Sequence, residues 1–236
     1  MCTVTFIPLL NKGFVLTSNR DESKLRETLP PEKYLENGVE LIYPKDKIAG
    51  GTWIGTSSKQ RLICLLNGAF VKHSRKAPYK KSRGVIAKDI LVQDNFELYI
   101  YKLDLTNIEP FTIVIVDWNE DDLKLYELIW DGNQKHITKL KNEPKIWSSS
   151  TLYNSESKAL RITWFNNWLL KGDFSTTSIL KFHHSKIGDL EQSIYMKRSY
   201  VETVSITSVK MKNNALEINY EDLVHSTKKI INTNQK

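Results

Sequence analysis

A chain of 236 residues, 40% hydrophobic and 10% aromatic, is long enough to fill a core, and its composition excludes collagen-like, disordered and disulfide-stapled classes. Its formal charge of +7 comes from Lys and Arg scattered along the sequence, clustered only over Lys72 to Lys81 and around Lys139 to Lys145. That pattern describes a solvated basic surface, and without a basic stripe interleaved with aromatics no nucleic-acid partner is expected.

Two cysteines, Cys2 and Cys64, stand in unlike contexts, which points to a reducing compartment and a cytoplasmic location. Met1 to Leu10 is apolar without a basic leader, and charge returns by Lys12 and Arg20, so neither a signal peptide nor a membrane span is expected. A single domain over residues 1–236 is the expected organisation, loosening into a tail from about residue 221.

Thr3 to Leu10 and Gly13 to Ser18 are β-rich runs around Asn11-Lys12-Gly13, so the chain opens with a hairpin. Ser18 to Gly38 is polar and contains Pro30-Pro31, which reads as a loop or a short helical excursion. Gly50 to Gly55 followed by Arg61 to Leu66 reads as a second hairpin around Ser57-Ser58-Lys59-Gln60. Ser82 suits the N-cap of a helix to Val92, with Val85, Ile86, Ile90 and Leu91 along one stripe, and another helix covers Phe96 to Leu103. Phe111 to Val116, Leu123 to Trp130 and Gln134 to Leu140 return to strand patterns. Ser155 to Leu170 is helical, and Val204 to Met211 with Ala215 to Tyr220 forms a last hairpin. Strand pairs at both ends with helices grouped between them predict an α+β fold of antiparallel sheets with helices packed outside.

Cys2 is the residue with the clearest chemical meaning. Removal of Met1 before a small residue leaves a thiol and a free α-amino group on one residue, so nucleophile and base coincide. The amine's pKa of about 7.7–8.0 keeps a useful fraction neutral near working pH. Asn19-Arg20-Asp21-Glu22 ends the second strand of the hairpin that Cys2 begins, and antiparallel pairing brings those ends together. There Arg20 can lower the thiol pKa and Asp21 can hold the ammonium group; a surface Arg-Asp pair in a polar loop fits the spacing equally well.

Met1-Cys2, Asn19-Arg20-Asp21-Glu22, Gly50-Gly51-Thr52-Trp53-Ile54-Gly55, Asn67-Gly68 and Ser82-Arg83-Gly84 together resemble the NRDE, or transport-and-Golgi-organisation, family. The resemblance is strong over Met1 to Gly84 and implies a relation to the N-terminal-nucleophile hydrolases, with their four-layer αββα sandwich. It extends to the choloylglycine and penicillin V acylases, and implies catalytic roles for Cys2, Arg20 and Asp21 and an oxyanion role for Asn67. Asn19, Glu22, Trp53 and Arg83 are implied as substrate-binding or supporting residues. Two segments depart from the relatives: Trp147-Ser148-Ser149-Ser150-Thr151 lacks an amide, and Thr203-Val204-Ser205 lacks an arginine.

The expected activity is cleavage of a small amide through an acyl-enzyme on Cys2, with a small-molecule amide or a hydrophobic ligand as partner and no cofactor. The alternative implied by the eukaryotic relatives is a ligand carrier of the same fold, with haem or a lipid-related molecule as its cargo. Cys64, within the apolar Ile63 to Leu65 run, reads as a core residue. His183-His184 reads as a solvated strand pair, and no metal site is expected. Trp164, Phe165 and Trp168, at helical spacing, read as core more readily than as a pocket.

Overall fold

The structure, a computed structural model, describes residues 3–119 and 122–234. In chain order its first strands are β1 (Thr3–Pro8), β2 (Phe14–Glu22), β3 (Thr28–Glu36), β4 (Val39–Asp46), β5 (Ile54–Ser57) and β6 (Arg61–Asn67). Helices α1 (Arg83–Leu91) and α2 (Phe96–Lys102) precede β7 (Phe111–Asp117), β8 (Lys124–Trp130), β9 (Lys135–Leu140) and β10 (Lys145–Ser148). Then come α3 (Ser155–Leu169), α4 (Thr176–His183), β11 (Glu202–Lys212), β12 (Ala215–Asp222) and β13 (Thr227–Asn234). Two compact units result, one from Met1–Leu25 with Glu143–Lys236 and one from Arg26–Asn142.

The first unit holds a six-stranded antiparallel sheet in the order β10-β1-β2-β11-β12-β13. The β1–β2 hairpin turns at Asn11 and Lys12, both with positive φ, and Gly13 N–H donates back to the Leu10 carbonyl. Two left-handed central residues match the twist of the paired strands, so the register is fixed from Pro8↔Phe14 to Thr3↔Asn19. Ile7 and Val15 on one face meet Phe165 and Trp168 of α3 and Ile179 and Phe182 of α4. Each such side chain contributes roughly 1.5–3 kcal/mol by burial. Phe165 and Trp168 are therefore core, as their spacing predicts.

The second unit holds a seven-stranded antiparallel sheet in the order β3-β4-β5-β6-β7-β8-β9. Ser82 caps α1, its hydroxyl accepting from Val85 N–H at 3.3 Å. At the other end of α1, buried Arg61 donates to the carbonyls of Ile90 and Gln93 while its Nε donates to Asp117 at 2.8 Å. One guanidinium thus fastens the carbonyl end of α1 to β7, where a cation also suits the helix dipole. Gly51 and Gly84 lie back to back: a Cβ on Gly51 would sit 2.7 Å from the Gly84 carbonyl carbon. Two motifs that stand far apart in sequence need glycine because their backbones touch.

Three expectations are corrected. Ser18 to Gly38 is not a loop: β2 runs on to Glu22, and β3 contains Pro30-Pro31. The prolines are tolerated because β3 is an edge strand with a register shift between Leu29 and Glu32, so no central ladder bond is lost. The chain after residue 221 is not a loose tail: β12 reaches Asp222, and β13 pairs with it from Thr227 to Asn234. Its lysines, uninformative as core, are what an exposed edge strand carries. His183-His184 lies at the end of α4 rather than in a strand, and His183 is fully buried.

Candidate active site

The polar end of β2 is buried. Asn19, fully inaccessible, donates from Nδ2 to the carbonyls of His183 (3.0 Å) and Ile194 (2.9 Å), while its Oδ1 lies 2.7 Å from His183 Nδ1. Because both amide hydrogens serve carbonyls, Oδ1 must accept, so His183 carries its proton on Nδ1. The other ring nitrogen, Nε2, then accepts from the Thr5 hydroxyl at 2.7 Å. Burial, helped by the nearby His184 and Arg161 charges, pushes the imidazole down to about 3, so it is neutral at physiological pH. Asn19 therefore supports the site by pinning β2 to α4.

Asp21 is buried and held by two hydroxyls: Thr203 Oγ1 donates at 2.7 Å and Tyr153 OH at 3.0 Å. Thr203 sits at a bulge of β11, opposite Asp21, and the pairing resumes at Ser205↔Arg20. A bulge re-aims strand side chains and is common beside active sites. Arg20, also buried, shares a row with Ser205 and, one strand further, Asp222. Glu22 lies at the strand's rim, where its Oε1 accepts from Ser23 N–H at 2.9 Å.

Beneath Thr3, fully buried Arg161 of α3 donates to the Thr3 hydroxyl and to the Ser193 carbonyl, and its guanidinium stacks 3.5 Å from the Tyr153 ring centre. Arg161 thus connects the described start of β1 to the tyrosine that holds Asp21. Cys2 itself lies outside the described residues. Cys64 is fully buried in β6, opposite Ile54 and Val114.

In the second unit, Asn67 ends β6 and is partly buried. The next residue, Gly68, donates to the Pro110 carbonyl at 3.0 Å, and Arg83 Nη1 donates to the same oxygen at 3.2 Å. Arg83 Nη2 pairs with Glu109 at 3.2 Å, and Glu109 in turn lies 3.3 Å from His73 Nε2. Trp53 is buried, its carbonyl accepting from Leu65 N–H at 2.7 Å. Asn67-Gly68, Trp53 and Arg83 thus share one neighbourhood of that unit.

Tyr153, His183, Arg161 and Thr203 have no local signal in the sequence, because the β1 and β2 residues they hold, Thr3, Asn19 and Asp21, lie from 132 to 182 residues away. Among the described residues no group of three or more His, Cys, Asp and Glu side chains is arranged to hold a metal ion, and no helix is long and apolar enough to cross a membrane.

Solved structures with the same fold include an N-acylethanolamine-hydrolysing acid amidase ortholog from Caenorhabditis elegans, at a TM-score of 0.62 and 11% identity over 88% of this chain and 92% of that one. Two variants of the conjugated bile acid hydrolase from Clostridium perfringens align at a TM-score of 0.52 and 11% identity, over 100% of this chain and 98% of theirs. The α+β fold of two antiparallel sheets is therefore that of the N-terminal-nucleophile hydrolases, as expected from the motifs. No curated protein matches the chain. The model of the Transport and Golgi organisation 2 family matches residues 1–227, and the chain belongs to that family.

Proposed function

We propose that the chain is a cysteine amidohydrolase in which Cys2, freed at the amino terminus, opens a small amide through an acyl-enzyme. The observation that carries this reading is the register of the first hairpin: Thr3 pairs with Asn19, directly before buried Arg20 and Asp21. Cys2 is the neighbour of Thr3 in the sequence, one peptide bond away.

In this reading the α-amino group of Cys2 takes the thiol proton as Sγ bonds to the carbonyl carbon. The fixed charge of Arg20 favours the thiolate. Asp21, anchored by Tyr153 and Thr203, accepts from the ammonium group. A hydrogen-bond donor to the oxyanion is worth about 2.7–4 kcal/mol in acyl transfer. The C–N bond then breaks, the ammonium proton leaves with the amine, and water cleaves the thioester to release the acid and restore the thiol. The amidase activity named for one structural neighbour supports a C–N bond as the target.

Intact mass and thiol labelling test it together. Loss of Met1 and selective alkylation of Cys2 over Cys64 below pH 7 are expected. Retained Met1, equally sluggish labelling of both thiols, or stoichiometric haem binding without Cys2 reactivity would contradict the hydrolase.

A further inference from the structure

We infer that the loop over residues 69–82 is a docking surface for an anionic lipid bilayer. It begins with two adjacent apolar side chains turned to solvent, Phe70 at 52% and Val71 at 75% exposure. Exposed Lys72, Arg75 and Lys76 follow, and none of the three has a carboxylate partner among the described residues. The sequence between Asp46 and Asp89 contains no acidic residue at all, so nothing in the loop offsets these charges.

The loop is held in shape. Lys76 N–H donates to the Tyr79 hydroxyl at 2.8 Å, Lys80 N–H to the Asn107 carbonyl at 3.0 Å, and Asn107 Nδ2 to the Pro78 carbonyl at 3.4 Å. Lys80 and Lys81 are drawn aside by Asp104 and Asp89, which leaves the three unpaired cations beside the apolar pair. Phe70 is propped edge-on against His136, with ring centres 4.9 Å apart. Little ordering therefore remains to be done on binding, which favours affinity.

The chemistry selects the partner. A bilayer interface takes an aromatic and an aliphatic side chain into the boundary of headgroups and acyl chains while lysine and arginine face lipid phosphates and carboxylates. A nucleic-acid backbone would use the cations but not Val71. Attraction near an anionic surface is roughly five-fold in partitioning per cation, so three cations together are worth on the order of a hundredfold.

The test is co-sedimentation of the full chain with vesicles of phosphatidylcholine alone or with about one-third phosphatidylserine. Partitioning to the anionic vesicles only is expected. It should fall about a hundredfold in the Lys72→Ala, Arg75→Ala, Lys76→Ala triple variant, and fall as well in Phe70→Ala, Val71→Ala at unchanged charge. Equal partitioning to both vesicles, no binding to either, or unchanged binding in the triple variant overturns the proposal. So does capture by single-stranded RNA that the triple variant loses while vesicles fail to bind. All five positions are solvent-exposed, so an unchanged unfolding midpoint is expected and confirms that each variant is folded.

Discussion

Strands β2 and β7 are both buried along nearly their whole length, yet β7 reads Phe-Thr-Ile-Val-Ile-Val before its final Asp117, whereas β2 ends in Asn-Arg-Asp-Glu. Burial of an apolar strand stabilises by area and asks for no particular partner. Burial of a polar strand costs free energy unless each atom is matched, and here the matches come from four other segments: Tyr153, His183, Ile194 and Thr203. A polar strand end so supported contributes little net stability, so its composition points to a job other than holding the fold together.

The comparison can be broken at either strand. The largest effect is expected at the polar exception of β7: Asp117→Ala leaves buried Arg61 without its carboxylate and should cost about 3–5 kcal/mol in urea unfolding. Next comes Asn19→Ala, which strands two carbonyls and the His183 Nδ1–H and should cost about 3 kcal/mol. A much smaller value would mean that the polar end of β2 is hydrated rather than matched.

His183 sharpens the contrast through pH. Its folded-state value of about 3 lies below the ordinary 6.5, so in the interval between them the unfolded chain binds the extra proton. Stability is intact above pH 6.5 and falls as the pH drops toward 3, by about 1.4 kcal/mol per pH unit. Urea titrations should lose on the order of 2 kcal/mol from this residue between pH 6.5 and pH 5, and His183→Gln should flatten the profile by that amount. Smaller still, Asp21→Asn should cost about 1 kcal/mol, because an amide still meets one hydroxyl as acceptor and the other as donor. The same change should slow alkylation of Cys2 about tenfold if Asp21 positions the amine. Ile115→Val in β7 should cost a similar 0.5–1.5 kcal/mol, about what one methyl group is worth there, and leave Cys2 untouched.

What was legible in the sequence follows the range of each interaction. The Asn11-Lys12 turn fixes the first hairpin locally, and with it the neighbourhood of Arg20 and Asp21. Ser82, an N-cap, marks the start of α1 by itself. Pro30-Pro31 and the lysines of β13 misled because they look like breaks, although an edge strand accepts both. His183 was hidden more deeply: only the docking of α4 onto β2 turns one of two adjacent histidines inward. Thr203 stood out only where an arginine was missing, and its role at Asp21 depends on a strand 182 residues away.

The most direct test of the account is acylation of Cys2 by a small β-lactone, a strained acyl donor, read by peptide mass spectrometry in the wild-type chain and in Arg20→Gln. One acyl group on Cys2, none on Cys64, and a loss of at least tenfold in rate in the variant are expected. Folded protein that carries no acyl group on Cys2, or acylates equally well without Arg20, would contradict it.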